Sequence, residues 1–476
     1  MQPVLEKPSI FERFNNWART SITLKLISIG ILILILLIPS SMLTSLIYER
    51  ERYRDDAIDE VSGKWGDSQT IGGPVLTIPY EVVLEDAKGK VSTITEYAHF
   101  LPEDLVINGR IQPEVRKRGI YEVVLYNTQL EAKGHFSYPK YGELKIPKEK
   151  LQLQDAFISI GIPDMRGIKE KVALQWNDST YYFNPGIVTK DVFASGISLP
   201  LNLDEKDKYT FSFKLNLNGS KDLHFLPVGK ETTVNLHSNW NNPSFIGAFL
   251  PDNRQVNTDG FTAQWKVLHL NRNFSQQWKG TSANFKTQPN RNNEYEEYTD
   301  YAVTSVSSSD VESAAFGVKL LLPIDEYQKT MRSAKYNIMF IFITFLAFFF
   351  VEVLNKKRIH PIQYLLVGFA ITLFYILLLS ISEHVGFNLA YLISCICILL
   401  LITFYAKSVL KSNKLTYLVS GILVVLYGFF YSLLQLQDYA LLLGSIGLLL
   451  ILAVVMYLSK DIDWYNINAV KQEKAE

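Results

Sequence analysis

Apolar positions fall along this chain in two different rhythms. From residue 26 to 47 they run almost unbroken (LISIGILILILLIPSSMLTSLI), long enough to cross a hydrocarbon core of about 30 Å as a helix. Five further runs, at 336–354, 362–381, 387–405, 415–434 and 440–458, close the sequence. Between them, residues 48–335 are polar, rich in Asn, Tyr and charge, and their apolar positions recur with a period of two. In 209–218, Tyr209, Phe211, Phe213, Leu215 and Leu217 alternate with polar residues, and Gly219-Ser220 reads as the turn that ends the run. The same alternation marks Leu130, Ala132, Gly134 and Phe136, then Val234, Leu236 and Trp240, then Phe261, Ala263, Trp265 and Val267. Half-buried antiparallel strands of this kind predict a large β-sandwich-like domain. Strand–helix alternation is missing, which excludes a nucleotide-binding α/β fold. Two segments break the rhythm. Residues 48–61, dense in Arg, Asp and Glu, read as a helical stalk leaving the first span, and 325–335 as its counterpart entering the second.

Bulk composition hides this division. The 47 basic and 47 acidic residues cancel, and a mean hydropathy of +0.08 would suit a soluble protein. No basic face is left over to neutralise phosphates, so nucleic acid is not an expected partner. Local charge is more informative. Lys356, Lys357 and Arg358 follow the second span, Lys407, Lys411 and Lys414 the fourth, and Lys460, Lys471 and Lys474 the last. The N-terminal lead carries Lys7, Arg13, Arg19 and Lys25, whereas 382–386 and 435–439 have no Lys or Arg. By the positive-inside rule, both termini are cytoplasmic and residues 48–335 lie across the membrane. The predicted organisation is therefore a cytoplasmic lead (1–25), a signal anchor (26–47), an extracytoplasmic β domain (48–335), a five-helix bundle (336–458) and a cytoplasmic tail (459–476). Within the lead, Ile10, Phe11, Phe14, Trp17 and Ala18 have the spacing of an interfacial amphipathic helix. No A-x-A cleavage site follows the first span. Cys395 and Cys397, two residues apart on a helix, point to nearly opposite sides and read as core filler. The β domain has no cysteine and must be held by its own core.

The segment 238–251 (SNWNNPSFIGAFLP), His360-Pro-Ile-Gln-Tyr-Leu-Leu-Val-Gly368, Phe374-Tyr375 and Ser382-Glu-His-Val-Gly-Phe387 together resemble the CreD family of bacterial inner-membrane proteins. Gly73-Pro74, Arg166-Gly-Ile168, Asp325-Glu-Tyr-Gln328, Lys335-Tyr336 and Ile462-Asp-Trp-Tyr465 extend the likeness along most of the chain. The resemblance implies an inner-membrane location and a part in cell-envelope integrity. It also implies tolerance of envelope-directed agents such as certain colicins and β-lactams, and expression under a two-component system. It brings no accepted reaction, cofactor or catalytic residue.

Candidate functional residues can still be weighed one by one. Glu352 is an intramembrane carboxylate and a functional suspect for that reason. Lys356, four residues on, offers it a helical ion pair, and its position looks shallow enough to reach headgroups; the structural role is favoured. Thr372, Ile376, Ser380 and Glu383 fall near one side of the third span. With His384 they could form a bundle-facing polar track, though an interfacial cap with interhelical hydrogen bonds is favoured. His360-Pro361 is helix-start chemistry. Ala440, Gly444 and Gly447 suggest close helix packing. In 239–251, Trp240, Pro243, Phe245, Gly247, Phe249 and Pro251, with Ile246 and Leu250, form an irregular apolar loop. It either docks a partner or plugs the end of the sandwich, and the plug is favoured. His99, His135, His224, His237 and His269 are scattered without metal-ligand spacing and read as surface or edge residues. No H-E-x-x-H, G-x-S-x-G or P-loop occurs. Ser408-Val-Leu-Lys411 matches S-x-x-K but falls in a cytoplasmic loop without its partner motifs. The expectation is a non-enzymatic protein with no cofactor or metal. Its partners are the lipid bilayer and envelope proteins, glycan or lipid; the alternative is a transporter or lipid-handling protein built on the bundle.

Overall fold

The computed structural model describes residues 22–85, 91–281, 314–322, 326–355, 357–436 and 439–460. The expected amphipathic lead helix, Lys356 and most of the C-terminal tail lie outside these. The chain divides into two compact units, Met1–Tyr53 with Ile324–Glu476, and Arg54–Pro323.

The second unit is built on two sheets. The larger places β13 (Pro243–Gly247), β17 (Phe316–Leu320), β11 (Asp222–Phe225), β1 (Gln69–Glu85), β5 (Ala156–Gly161), β9 (Gly196–Leu201) and β8 (Asn184–Pro185) in that order. β2 (Val91–Phe100) lies against the second half of β1, and β16 (Gln277–Lys279) against β2. The smaller sheet begins β14 (Asn253–Asn257), β15 (Gly260–Leu268), β12 (Glu231–Ser238) and β3 (Asp104–Arg118). It continues with β4 (Tyr121–Ser137), β10 (Lys208–Ser220), β6 (Ala173–Trp176) and β7 (Ser179–Tyr182). Most neighbours are antiparallel, but β1 pairs parallel with β11, and β3 with β12, so the domain is mixed rather than purely antiparallel. Parallel neighbours need long crossovers, which strand periodicity does not reveal.

Both sheets feed one apolar core. On β10 the alternation holds as read: Tyr209, Phe211, Phe213, Leu215 and Leu217 are buried. Gly219-Ser220 is not a turn, however. β10 runs through Ser220 and the chain reverses at Lys221, where φ is +63°. Gly219 is bare because a Cβ there would drive into the Tyr126 ring, whose hydroxyl donates to the Asp222 carbonyl at 2.7 Å. Likewise the alternation that seemed to reach Trp240 stops at Ser238, the end of β12.

The first unit is helical. α1 (Ile22–Trp65), α2 (Glu326–Lys335), α3 (Asn337–Leu354), α4 (Pro361–Val385), α5 (Phe387–Leu410), α6 (Asn413–Gln435) and α7 (Ala440–Ser459) follow one another, and six of them are long and apolar enough to cross a membrane. α1 is unbroken for 44 residues and its last turns belong to the β unit. There Trp65 lies under the Arg116 guanidinium, 4.2 Å from the ring centre, and donates to the Tyr126 carbonyl. Glu60 accepts from Arg118 at 3.1 Å, and Asp59 from Lys221 at 2.6 Å.

In the bundle, α1 meets α4 where the bare α-carbon of Gly368 receives Leu36. It meets α3 where Asn337 donates to the Ser40 hydroxyl at 2.6 Å, buried from solvent. Phe340, Phe374, Tyr391, Tyr427 and Phe430 fill the centre in tilted and edge-on contacts, with ring centres 4.5–5.3 Å apart along the chain of contacts. α7 is peripheral: Gly447, which seats the Phe429 ring, is its one buried residue among those described. The small-residue packing thus concentrates at Gly447, while Ala440 and Gly444 stay half-exposed. Both cysteines are free, and Cys397 is exposed on the helix surface rather than filling the core.

Candidate functional site

Glu352 is enclosed by protein rather than left at the helix surface. It sits near the end of α3, 2% exposed, and three parts of the first unit converge on it. The Lys25 ammonium at the start of α1 pairs with its Oε1. The Ile359 amide donates to the same oxygen at 2.6 Å, and the Tyr364 hydroxyl donates to Oε2 at 2.8 Å. Phe345 and Phe348 meet the Tyr364 ring at 5.5 and 6.2 Å and fix its direction. A buried carboxylate is tolerable only with such a set of donors. The pairing expected with Lys356 falls outside the described residues; the observed partner comes from a helix more than 300 positions earlier.

The segment 360–368 resolves into a sequence of assembly devices. His360 caps α4, its ring accepting the Ile362 amide at 3.3 Å, while Gln363 reaches back to the His360 amide at 2.9 Å. Pro361 occupies the first helical position, where a missing N–H costs nothing. Tyr364 serves Glu352, and Gly368 makes room for α1.

Toward the other end of α4 the candidate polar positions differ in burial. Thr372 is buried but spends its hydroxyl on the Gly368 carbonyl, and Ile376 is 40% exposed. Ser380 and His384 are exposed. Glu383 is half-buried and accepts from the Tyr327 hydroxyl of α2 at 2.9 Å. Gly386, at φ +81°, then turns the chain into α5. The four positions share a side by spacing, but neighbouring helices cover only part of it.

Residues 239–251 are more regular than their Pro and Gly content suggested. Pro243–Gly247 is an edge strand, β13, paired antiparallel with β17. Phe245 meets Phe261 and Trp265 with ring centres at 5.8 and 5.7 Å, and Phe249 meets Phe316 at 5.9 Å. Trp240 donates to the Asn242 and Leu321 carbonyls at 3.2 and 3.1 Å. Gly247, at φ +98°, lies so close to the Ala315 carbonyl that a Cβ would collide. Pro251 is half-buried and Leu250 is 68% exposed. Trp240, Phe245 and Phe249 therefore pack against the core that both sheets share.

His99 is fully buried on β2, not a surface residue. Its Nδ1 shares a hydrogen bond with the Thr77 hydroxyl at 2.9 Å, its ring tilts against Trp278, and Asp191 Oδ2 lies 3.7 Å from Nε2. Burial pushes its pKa below the usual 6.5, partly offset by the Asp191 carboxylate. The unfolded chain therefore takes up this proton first as pH falls. Stability should decline on acidification below about pH 6.5, and His99→Gln should flatten that decline. Thermal melting of both proteins between pH 7.5 and 5 checks this, and parallel slopes would refute it.

No group of His, Cys, Asp and Glu suited to holding a metal occurs among the described residues. A concavity of about 1240 Å³ lies over the outer face of the eight-stranded sheet. Asn108, Arg110, Gln129, Lys214, Asn235 and Gln264 line it, all polar and each from the solvent-facing half of an alternating strand. Sequence alone marked these positions as polar, but only the strand register brings them together.

Comparison with known proteins places the whole chain. The family model described as inner membrane protein CreD matches residues 21–465. Inner membrane protein CreD of Escherichia coli (strain K12) is 33% identical over 452 residues, covering 93% of this chain and 94% of that protein.

Proposed function

The chain belongs to the CreD family of inner membrane proteins, and from that premise we propose that it supports cell-envelope integrity without catalysing a reaction. Its six apolar helices make it a multi-pass protein in contact with lipid. In this reading both termini are cytoplasmic and residues 48–335 form a periplasmic domain that binds other envelope components. The basic residues that follow the second, fourth and last spans support the orientation. The observation that carries the binding role is the shape of the β unit. Its eight-stranded sheet carries an open concavity set with Asn, Gln, Arg and Lys side chains, suited to holding a large ligand rather than enclosing a small one for chemistry. The transporter alternative is motivated by the polar end of the third span with Glu383 and His384, of which Glu383 accepts from Tyr327 and His384 is exposed.

A strain lacking the protein should become more sensitive to β-lactams and colicins. The full chain should restore tolerance, and a chain folded and inserted but without residues 66–322 should not. Unchanged sensitivity in the deletion strain would defeat the proposal.

A further inference from the structure

The register of the eight-stranded sheet lines up its outward side chains in rows that cross the strands. Asn253 pairs with Gln264, Gln264 with Asn235, Asn235 with Asn108, Asn108 with Glu131, and Glu131 with Lys214. The next row runs Gln255, Thr262, His237, Arg110, Gln129 and Asn216. Each row spans six strands, roughly 24 Å at the usual inter-strand spacing. Their inward neighbours on the same strands, such as Ile107, Leu130, Leu215, Leu236 and Trp265, belong to the core. The rows are therefore held on a rigid backing.

Three properties of this face narrow what it can hold. Amides present a donor and an acceptor together, the pattern that matches hydroxyl and acetamido groups. Neighbouring amides already bond in this way: Asn235 donates to Asn108 at 2.9 Å and Asn253 to Gln264 at 3.1 Å. Second, the balance of charge is positive. Arg110, Lys133, Lys171, Lys214 and Arg254 line the concavity against Glu131 and Glu170. Glu131 pairs with Lys133 at 3.0 Å, and Glu170 accepts from Asn216 at 3.0 Å. Arg110 and Lys214 make no ion pair among the described residues and are exposed. Third, aromatic stacking is not on offer, because Phe213, the one Phe, Tyr or Trp in the lining, is 4% exposed. Recognition must come from hydrogen bonds and charge.

We propose that this face binds an extended glycan strand of acetamido sugars bearing carboxylates, lying along the amide rows with its acidic groups on Arg110 and Lys214. The inference rests on the envelope-binding reading above and names the ligand class and the surface. Alternate strands recur at roughly 9.6 Å, close to the repeat of an extended β-1,4-linked disaccharide. Arg110 on β3 and Lys214 on β10 are two strands apart, with β4 between them, and stand in adjacent rows. A neutral sugar polymer would bring no charge to meet the exposed Arg110 and Lys214.

The test uses the full-length protein in phosphatidylcholine nanodiscs. The probe is peptide-free glycan strands of alternating N-acetylglucosamine and N-acetylmuramic acid, titrated calorimetrically. They should bind at least about tenfold more tightly than neutral chitooligosaccharides of equal length, and binding should weaken with salt. An Arg110→Ala, Lys214→Ala double variant should lose at least about tenfold in affinity, as should Asn108→Leu, Asn235→Leu. Melting temperatures should be unchanged, since all four side chains are on the outer face. Absence of binding overturns the inference, as does equal binding of neutral and acidic strands. Polyglutamate binding as tightly as the glycan would replace it with an acidic peptide. Binding that survives both double substitutions removes the assignment to this face but leaves the envelope-binding reading intact. That reading stands or falls separately, on the sensitivity of the deletion strain.

Discussion

Glu352→Ala should cost the membrane unit about 3–5 kcal/mol, the range for removing one member of a buried, hydrogen-bonded ion pair. Three groups lose their acceptor at once: the Lys25 ammonium, the Ile359 amide and the Tyr364 hydroxyl. The Ile359 amide is the least able to recover, because it is buried where the chain turns from α3 into α4. Lys25 is 25% exposed and can partly find solvent, so Lys25→Met should be milder. Tyr364→Phe should cost about 1 kcal/mol, one hydrogen bond with the ring packing kept. A Lys25→Met, Glu352→Gln double variant should recover much of the loss, since glutamine can still accept from Ile359 and no charge is left buried. Detergent-solubilised full-length protein, unfolded by heat with crosslinking between α1 and α3 as the readout, tests the series. A Glu352→Ala protein that melts with the wild type would show that the cluster is not a stabilising joint.

Trp265→Ala should be comparably severe in the other unit, about 3–5 kcal/mol. Trp265 is fully buried on β15 and bridges the sheets. Its ring lies 5.7 Å from both Phe245 on β13 and Phe316 on β17, and its Nε1 donates to the Phe249 carbonyl at 3.1 Å. Removing it leaves a cavity where the segment 239–251 rests on the core, so that segment should become sensitive to protease before the rest. Trp265→Phe keeps most of the apolar volume and should lose much less. Limited proteolysis with mapping of the first cleavage site distinguishes local from global loss. First cleavage elsewhere would mean that the segment does not depend on this residue.

What could be read from the sequence follows the range of the interaction involved. The spans were legible because a helix satisfies its own backbone and needs only a long apolar run. The inward faces of β4, β10, β12 and β15 were legible because alternation is a local signal. Partners were not. Lys25 was counted as a loop charge, yet it is the counter-ion of Glu352, chosen by the packing of α1 on α3. Tyr364 and Tyr327 carried no pattern that set them apart as the donors to Glu352 and Glu383. His99 looked like any other isolated histidine, because burial of its strand end depends on β16 and on the segment holding Asp191. The segment 239–251 misled in the opposite direction. Its Pro and Gly opposed a strand by propensity, but pairing with β17 overrode them at the sheet edge, where Pro243 gives up no needed bond.

The two amide rows also fix how the outer sheet responds to its medium. Asn and Gln carry no titratable proton, so Asn253, Gln264, Asn235 and Asn108 offer the same donors and acceptors in acid as in base. The amide pattern therefore persists through swings of acidity, while Glu131 in one row and His237 in the other are ionisable side chains set among the amides.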